Sequence, residues 1–484
     1  MVWRFGEKIT AQGVSFIVSV ILARILMPED YGIVAIVCAF IAIAEVFVTS
    51  GLGTALIQKK DATQRDFSTV FWCNLAFSCA LYAVFYFVAP VIARIYKMPL
   101  LTTVLRVGGI RIPINAVNSI QNAYVSRHMD FKKFFFATII GTVISAIVGI
   151  VMAYRGYGVW ALIAQMMTNT VIDTIVLFLM IKWRPTLEFS FADAKPLISY
   201  GWKILATDLI GTIFLQLHAF IIGKKYTSED LAYYDKGKKF PDTVSSNICA
   251  TISSVLFPAM SLSSGVDEIR RIRRKSLQMM EYVVFPIMFG MLAAADNMIV
   301  VLLTEKWKFA VPFVRISCIA AVISVLGTTL IQEIKAIGGS DITLKLEFIK
   351  KPLYLIIILF AMQISVEAIA YTLILIELIA FCVNVYPVRK HIGFDFKQHF
   401  LDMVPPLAMS AVMCAAVVGL DLVISQKTIC LIAQVLVGAG VYIGLSVATK
   451  NECFAYLTNM IRDKLRRRKP EEPKAEEGEN GDGN

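Results

Sequence analysis

Unbroken apolar stretches of roughly 20 residues recur along almost the whole chain, each long enough to cross a hydrocarbon layer of about 30 Å as a helix. In such a layer every backbone N–H and C=O needs a partner within the protein, which leaves only helices and closed barrels. The apolar and polar alternation of a barrel strand is absent, so the chain reads as an all-α integral membrane protein. Composition agrees, since 57% of the 484 residues are hydrophobic and 17% charged, against about a quarter charged in a soluble domain.

Apolar runs bounded by charged or turn-forming residues place spans near 7–27, 33–57, 68–93, 100–124, 135–154, 158–181, 199–222, 240–262, 278–303, 309–334, 343–363, 366–388, 403–424 and 428–449, about fourteen in all. Met1 to Lys8 is a short mixed segment that runs into the first span with no small-residue cleavage site, so the first helix is expected to remain in the mature protein. Lys59, Lys60, Lys132, Lys133, Lys182, Arg184 and the RRIRRK run at 270–275 fall in alternate connections. Those connections hold about twice as many Lys and Arg as the opposite ones, where the run from Lys224 to Lys239 is the main exception. The bias predicts a multi-pass protein of a bacterial cytoplasmic (inner) membrane with both termini cytoplasmic. KLRRRK at 464–469 suits an anionic inner leaflet, and PEEPKAEEGENGDGN after it is too polar to fold. The net charge of +11 is therefore topology signal and membrane-surface patch, and no nucleic acid is expected as a partner.

Nine cysteines stand singly with no CxxC pair, and four histidines (His128, His218, His391, His399) make no metal-ligand spacing. No P-loop is present. No metal, cofactor or enzymatic activity is expected.

The chain repeats itself. Phe5-Gly6-Glu7-Lys8-Ile9 returns as Tyr200-Gly201-Trp202-Lys203-Ile204, Glu29-Asp30 as Glu229-Asp230, Leu105-Arg106-Val107 as Val314-Arg315-Ile316, and Ile120-Gln121 as Ile331-Gln332. Four matches in order, with slowly growing offsets, point to two related halves. Six spans in each half give the copies the same orientation, as in parallel-repeat transporters, where the substrate site lies between the halves near the midplane. The expected organisation is a first lobe at 1–183, a linker at 184–198, a second lobe at 199–390, two further helices at 400–449 and a basic, then acidic, tail at 450–484.

A charge at the bilayer centre costs at least about 2.5–3.5 kcal/mol, so intramembrane charges need a reason. Arg24, Glu45, Arg106, Arg111 and Asp173 stand in the first half; Lys203, Asp208, His218, Asp296, Arg315, Glu333 and Glu377 stand in the second. Snorkelling at a span end accounts equally well for Arg24, Lys203, Asp296 and Glu333. The sharper expectation is a shared water-filled cavity in which Arg24 and Glu45 oppose Lys203, Asp208 and His218. Basic groups there attract an anionic head group, and Glu45 or Asp208 can carry a coupling proton or sodium ion. Arg106 and Arg315 hold equivalent repeat positions, which fits helix pairing as well as substrate contact. Pro113 and Pro286 should kink their spans, and Gly440 with Gly444 forms a possible close-packing GxxxG.

LARILMPEDYG (22–32), SGLGTALIQKKD (50–61), APVIARIYKMP (89–99), NSIQNAYVSRHMDFKK (118–133), GYGVWALIAQ (156–165) and VLFPAMS (255–261) together resemble the polysaccharide transport (Wzx-like) branch of the multidrug/oligosaccharidyl-lipid/polysaccharide (MOP) superfamily. The resemblance covers roughly residues 1–400. It implies two six-helix lobes in a V shape plus two C-terminal helices, and ion-driven alternating access. Its implied cargo is an oligosaccharide repeat unit on undecaprenyl diphosphate, for O-antigen, capsule or exopolysaccharide synthesis, with a polysaccharide polymerase and chain-length proteins as possible partners. It also implies cavity-facing basic residues on the first helix of each lobe: Arg24 by motif, Lys203 through the repeat. The chain starts close to its first helix, with little of the amphipathic segment that precedes it in many relatives, so Met1 is expected to be a truncated or late start.

A drug or metabolite antiporter of the same fold is the alternative, and it predicts a smaller, more acidic cavity. A membrane glycosyltransferase or ligase would need a large outer loop, and no expected outer loop exceeds about 20 residues.

Overall fold

The computed structural model describes residues 2–50, 53, 56, 59, 62–128, 130–263, 265–337 and 339–466, and within them there is no strand. The first half holds α1 (Val2–Ile25), α2 (Pro28–Thr49), α3 (Gln64–Tyr96), α4 (Leu100–Gly109), α5 (Arg111–Arg127), α6 (Phe131–Tyr154) and α7 (Val159–Met180). The second holds α8 (Phe191–Lys225), α9 (Ser228–Ser261), α10 (Val266–Ala293), α11 (Ala295–Leu303), a 3-10 turn (Glu305–Ala310), α12 (Val311–Ala336), α13 (Ser340–Ala361) and α14 (Val366–His391). α15 (Phe396–Asp421), α16 (Lys427–Ala448) and α17 (Glu452–Arg466) follow. Among the described residues twelve helices are long and apolar enough to span a membrane, and Thr10–Ile25 is a shorter apolar one. The 22-residue α13 completes about fourteen, although Lys345, Glu347, Lys350 and Lys351 lie along it.

The repeat is legible in atoms. α2 begins at Pro28 and α9 at Ser228, and each start is capped by an aspartate three residues past the cap position. Asp30 Oδ2 accepts from the Met27 N–H at 3.2 Å, and Asp230 Oδ2 from the Thr227 N–H at 3.1 Å. Further along, Arg106 lies 4.1 Å over the Tyr86 ring, and Arg315 pairs with Asp296, each reaching back to the preceding helix of its own lobe. The two arginines thus share a structural role.

Packing explains why the lobes splay. One buried cluster crosses between them, joining Leu22, Ile36 and Leu105 to Ile222, Leu231 and Phe313. Around the other ends of the same helices the cores separate: Phe67, Ile120 and Ile181 gather in the first lobe, and Leu256, Leu330 and Val388 in the second. A shared core at the end of the α1–α2 and α8–α9 turns, with private cores at the opposite end, produces the V. α15 and α16 lie outside the repeat and dock on α10 through Tyr282, Met409, Met413 and Tyr442.

Four local expectations change. The lysine-rich stretch 224–239 is not a loop, because the capping box of Thr227 and Asp230 starts α9 at Ser228 and carries Lys236, Lys238 and Lys239 into the helix. The span near 100–124 is two helices meeting at Ile110, and Pro113 sits in the first turn of α5, where its missing N–H costs nothing. A Cβ on Gly440 or Gly444 would meet nothing within 4 Å, so among the described residues the GxxxG packs against no other helix. α8 starts at Phe191, inside the stretch 184–198 expected to be linker.

Candidate functional site along the lobe seam

The two lobes meet along α1 and α9. Residues 12, 16, 19 and 23 of α1 fall on one helical face, and each finds a partner in the second lobe. Gln12 and Asn247 exchange amide hydrogen bonds of 3.2 and 3.3 Å. The rings of Phe16 and Phe240 stand edge to face at 6.0 Å. Lys236 Nζ donates to Ser19 Oγ at 2.9 Å, and the Trp307 indole donates to the Ala23 carbonyl at 2.8 Å. Lys236 is 6% exposed, and in place of a carboxylate it has the Tyr31 ring at 4.1 Å, an attraction between cation and π-face that strengthens when water is excluded.

The turn end is laced more tightly. Arg24 donates through Nε to the Leu302 carbonyl at 2.8 Å and through a second nitrogen to Val301 O. These are the open carbonyls at the C-terminus of α11, where a cation is favoured. Lys306 answers by donating to the carbonyls of Arg24 at 2.9 Å and Leu26 at 2.6 Å. Gly32 lets the turns touch: a Cβ there would stand 1.8 Å from the Ser228 carbonyl oxygen.

On either side of this seam lies one pocket per lobe, in repeat-equivalent places. The first-lobe pocket is about 370 Å³ and is lined by Gln12, Ser15, Thr142, Gln165, Asn169 and Arg111. Arg111 lies 3.4 Å from Glu45 and donates to Thr170 at 3.1 Å, while Asn115 donates to Glu45 at 2.5 Å. The second-lobe pocket is about 590 Å³, walled by α8, α9, α12, α13 and α14, and carries His218, Lys238, Asp242, Lys350, Lys351 and Glu377. Lys238 pairs with Asp242 at 2.7 Å, and Lys350 with Glu347 at 2.5 Å and with Asn384 at 3.3 Å. His218 Nε2 lies 3.0 Å from Thr372 Oγ1, and its ring stacks on Tyr234.

The residues singled out from sequence therefore fall into separate groups. His218 lines the second-lobe pocket, and Glu45 holds Arg111 at the first. Arg24 is committed to the α11 carbonyls. Asp208 is exposed on α8, whose pocket-lining residues are Gly211, Phe214, Leu215 and His218. The Lys203 side chain lies outside the described residues. Sequence reasoning missed Gln12, Lys236, Asn247, Lys306 and Lys350. A capping signal at 227–230 would have moved Lys236 into the membrane, but nothing local marks Gln12 or Asn247.

Two like-oriented lobes of membrane helices, joined at one end and lined with polar groups along the seam, define a carrier architecture. A family model described as polysaccharide biosynthesis protein matches residues 21–312, and the chain belongs to that family. The chain is 24% identical to the succinoglycan biosynthesis transport protein ExoT of Rhizobium meliloti (strain 1021), over 69% of this chain and 68% of that one. It is 23% identical to the teichuronic acid biosynthesis protein TuaB of Bacillus subtilis (strain 168), over 78% and 79%. Among solved structures, the lipid II flippase MurJ in an inward closed conformation matches with a TM-score of 0.77 at 14% identity, over 93% of this chain and 99% of that one. At that identity the likeness speaks for the fold.

Proposed function

We propose that the protein flips undecaprenyl-diphosphate-linked oligosaccharide repeat units across the bacterial cytoplasmic membrane for surface polysaccharide synthesis. The observation that carries this reading is the family match over residues 21–312. The geometry supports it: the polar groups collect along a seam between lobes rather than around a single small-molecule pocket. Both termini face the cytoplasm in this reading, because the arginine-rich start of α10 and the lysines at 132 and 133 then lie on the cytoplasmic side. The lobes correspond to residues 1–183 and 199–390.

In this conformation the outer end is shut. Arg24, Lys236 and Lys306 rest on neutral acceptors at the seam. A diphosphate offers charged acceptors, whose hydrogen bonds are roughly twice as strong as neutral ones, and so competes for these cations as the lobes part. Glu45, already tied to Arg111 and Asn115, is the better placed of the two coupling candidates, since Asp208 is exposed on α8. His218 and, by its repeat position, Lys203 extend the site into the second lobe. A polymerase and chain-length proteins would receive the product.

The test is a leaflet assay in the native strain lacking the gene. Complete lipid-linked repeat units should accumulate on the cytoplasmic face, with rescue by wild type and not by Arg24→Ala. Normal surface polysaccharide with no trapped intermediate would sink the reading and turn attention to small-molecule antiport.

A further inference from the structure

At the end of α10 remote from the lobe turns, a cavity of about 570 Å³ opens between α10 and α15. Its rim is Arg270, Arg271, Arg273 and Arg274 with Asp395 and Asp402 beside them, and its floor is Glu281. Three of the arginines are held in place. Arg274 makes a bidentate pair with Asp402 at 2.6 and 2.7 Å, Arg273 lies 3.3 Å from Glu333, and Arg270 donates to the Ile392 carbonyl at 2.5 Å and pairs with Asp267 at 2.8 Å. Arg271 is held least: its side chain is 80% exposed, with Glu268 at 3.8 Å. Glu281 is 0% exposed, yet neither carboxylate oxygen has a hydrogen-bond partner; Nε2 of His399, another lining residue, has none either. Leaving such groups unsatisfied is costly. A ligand that satisfies them needs two ends, a hydrogen-bond donor for the floor and an anion for the rim.

The surroundings say where such a ligand comes from. Gln398, His399 and Asp402 of α15 line the cavity, while Phe396, Phe400 and Leu401 on the same turns are 49%, 60% and 59% exposed. An apolar face beside a guanidinium rim, at a membrane helix end, is where acyl chains meet a headgroup.

Among the described residues the first lobe lacks the feature. There the segment after α7 crosses the start of α3 and seals it: Gln64 donates to the Arg184 carbonyl at 2.6 Å, Trp72 to the Thr186 carbonyl at 2.8 Å, and the Thr186 N–H to Ser68 at 3.0 Å. The α3 stretch from Phe71 to Cys79, which corresponds to the region around Glu281, carries no charge. The cavity is thus a property of the second lobe with α15, not of the repeated unit.

We propose that this cavity binds a phospholipid headgroup whose phosphodiester carries an ammonium or hydroxyl end. The phosphate sits on Arg271 and the free edges of Arg270 and Arg274, the donor end on Glu281 and His399, and the acyl chains run along Phe396, Phe400 and Leu401. The site is separate from the lobe seam and does not depend on the cargo assigned above.

Native mass spectrometry of the full chain, exchanged into detergent with defined lipids, tests it. One phosphatidylethanolamine or phosphatidylglycerol should be retained, with phosphatidylmethanol, a phosphodiester that lacks the donor end, about tenfold weaker, the size of one charged hydrogen bond. Arg271→Ala, at an exposed side chain, should lower retention about tenfold on the same grounds, and Glu281→Leu should erase the preference over phosphatidylmethanol. Undiminished retention in Arg271→Ala, or phosphatidylmethanol held as well as the others, overturns the proposal. Soluble glycerophosphoethanolamine displacing the lipid at equal concentration also overturns it, in favour of a free phosphate ester.

Discussion

The two pockets beside the seam occupy equivalent places in the repeat but differ in chemistry. The first, about 370 Å³, presents hydroxyls and amides around a single Arg111–Glu45 pair; the second, about 590 Å³, presents three lysines, three acids and a histidine. Duplication fixed the backbone scaffold, since helix starts and arginine anchors still coincide, while the walls of the cavities diverged. A carrier that handles a cargo with a charged end and a sugar end has a use for such unlike walls. On the reading proposed above, the neutral wall would meet sugar hydroxyls and the charged wall the anionic linkage.

The sharpest way to break the contrast is to unpair the charged side. Lys350 is 4% exposed, so Glu347→Ala leaves a buried ammonium with Asn384 alone. The expected loss is about 1.5–3 kcal/mol, the range for a hydrogen bond to a charged group, read from thermal unfolding in detergent. Combining Glu347→Gln with Lys350→Met should recover most of it, because the buried ammonium is gone and only Lys351, a quarter exposed, loses its partner at 3.5 Å; a failure to recover would mean that the pair does more than neutralise itself.

On the neutral side, Glu45→Gln keeps an acceptor for Asn115 but removes the charge facing Arg111. It should cost about 1 kcal/mol and, if Glu45 is the coupling carboxylate, flatten the pH dependence of flipping measured in proteoliposomes. Retained pH dependence would remove Glu45 from that role. At the seam itself, a double-mutant cycle of Gln12→Leu with Asn247→Leu should return a coupling energy of about 1 kcal/mol, and a value near zero would show that the amides do not hold the lobes. Smallest of all, Thr142→Val in the first pocket should cost about 0.5 kcal/mol, because the Thr142 hydroxyl donates only to the Thr138 carbonyl one turn back. A Thr142→Val loss as large as that of Glu347→Ala would erase the distinction between the walls.

The fold was legible because hydrophobic length encodes spans and because short motifs such as Glu29-Asp30 and Glu229-Asp230 cap equivalent helices. Helix ends were less so: hydropathy marks only the apolar middle of α9, and the lysines at 236, 238 and 239 looked like loop until the capping box is taken into account. Intramembrane charges such as Glu45 and His218 announced themselves by their cost, but their partners did not. Arg24 meets Leu302 across 278 residues of sequence, a juxtaposition that depends on how the lobes close. Gln12 and Asn247 carry no charge and little local signal, so only tertiary packing identifies them.

Gly32 has a consequence for history. Its equivalent in the second half is Ala232, fully buried, while the space beside Gly32 is filled by the Ser228 backbone. Two copies of the second half could not face each other as the first and second now do, since each would drive a methyl group into the other's main chain. The present second half therefore cannot pair with its own copy in this arrangement unless the backbone shifts, and a single missing carbon is one place where the duplicated partners are not interchangeable.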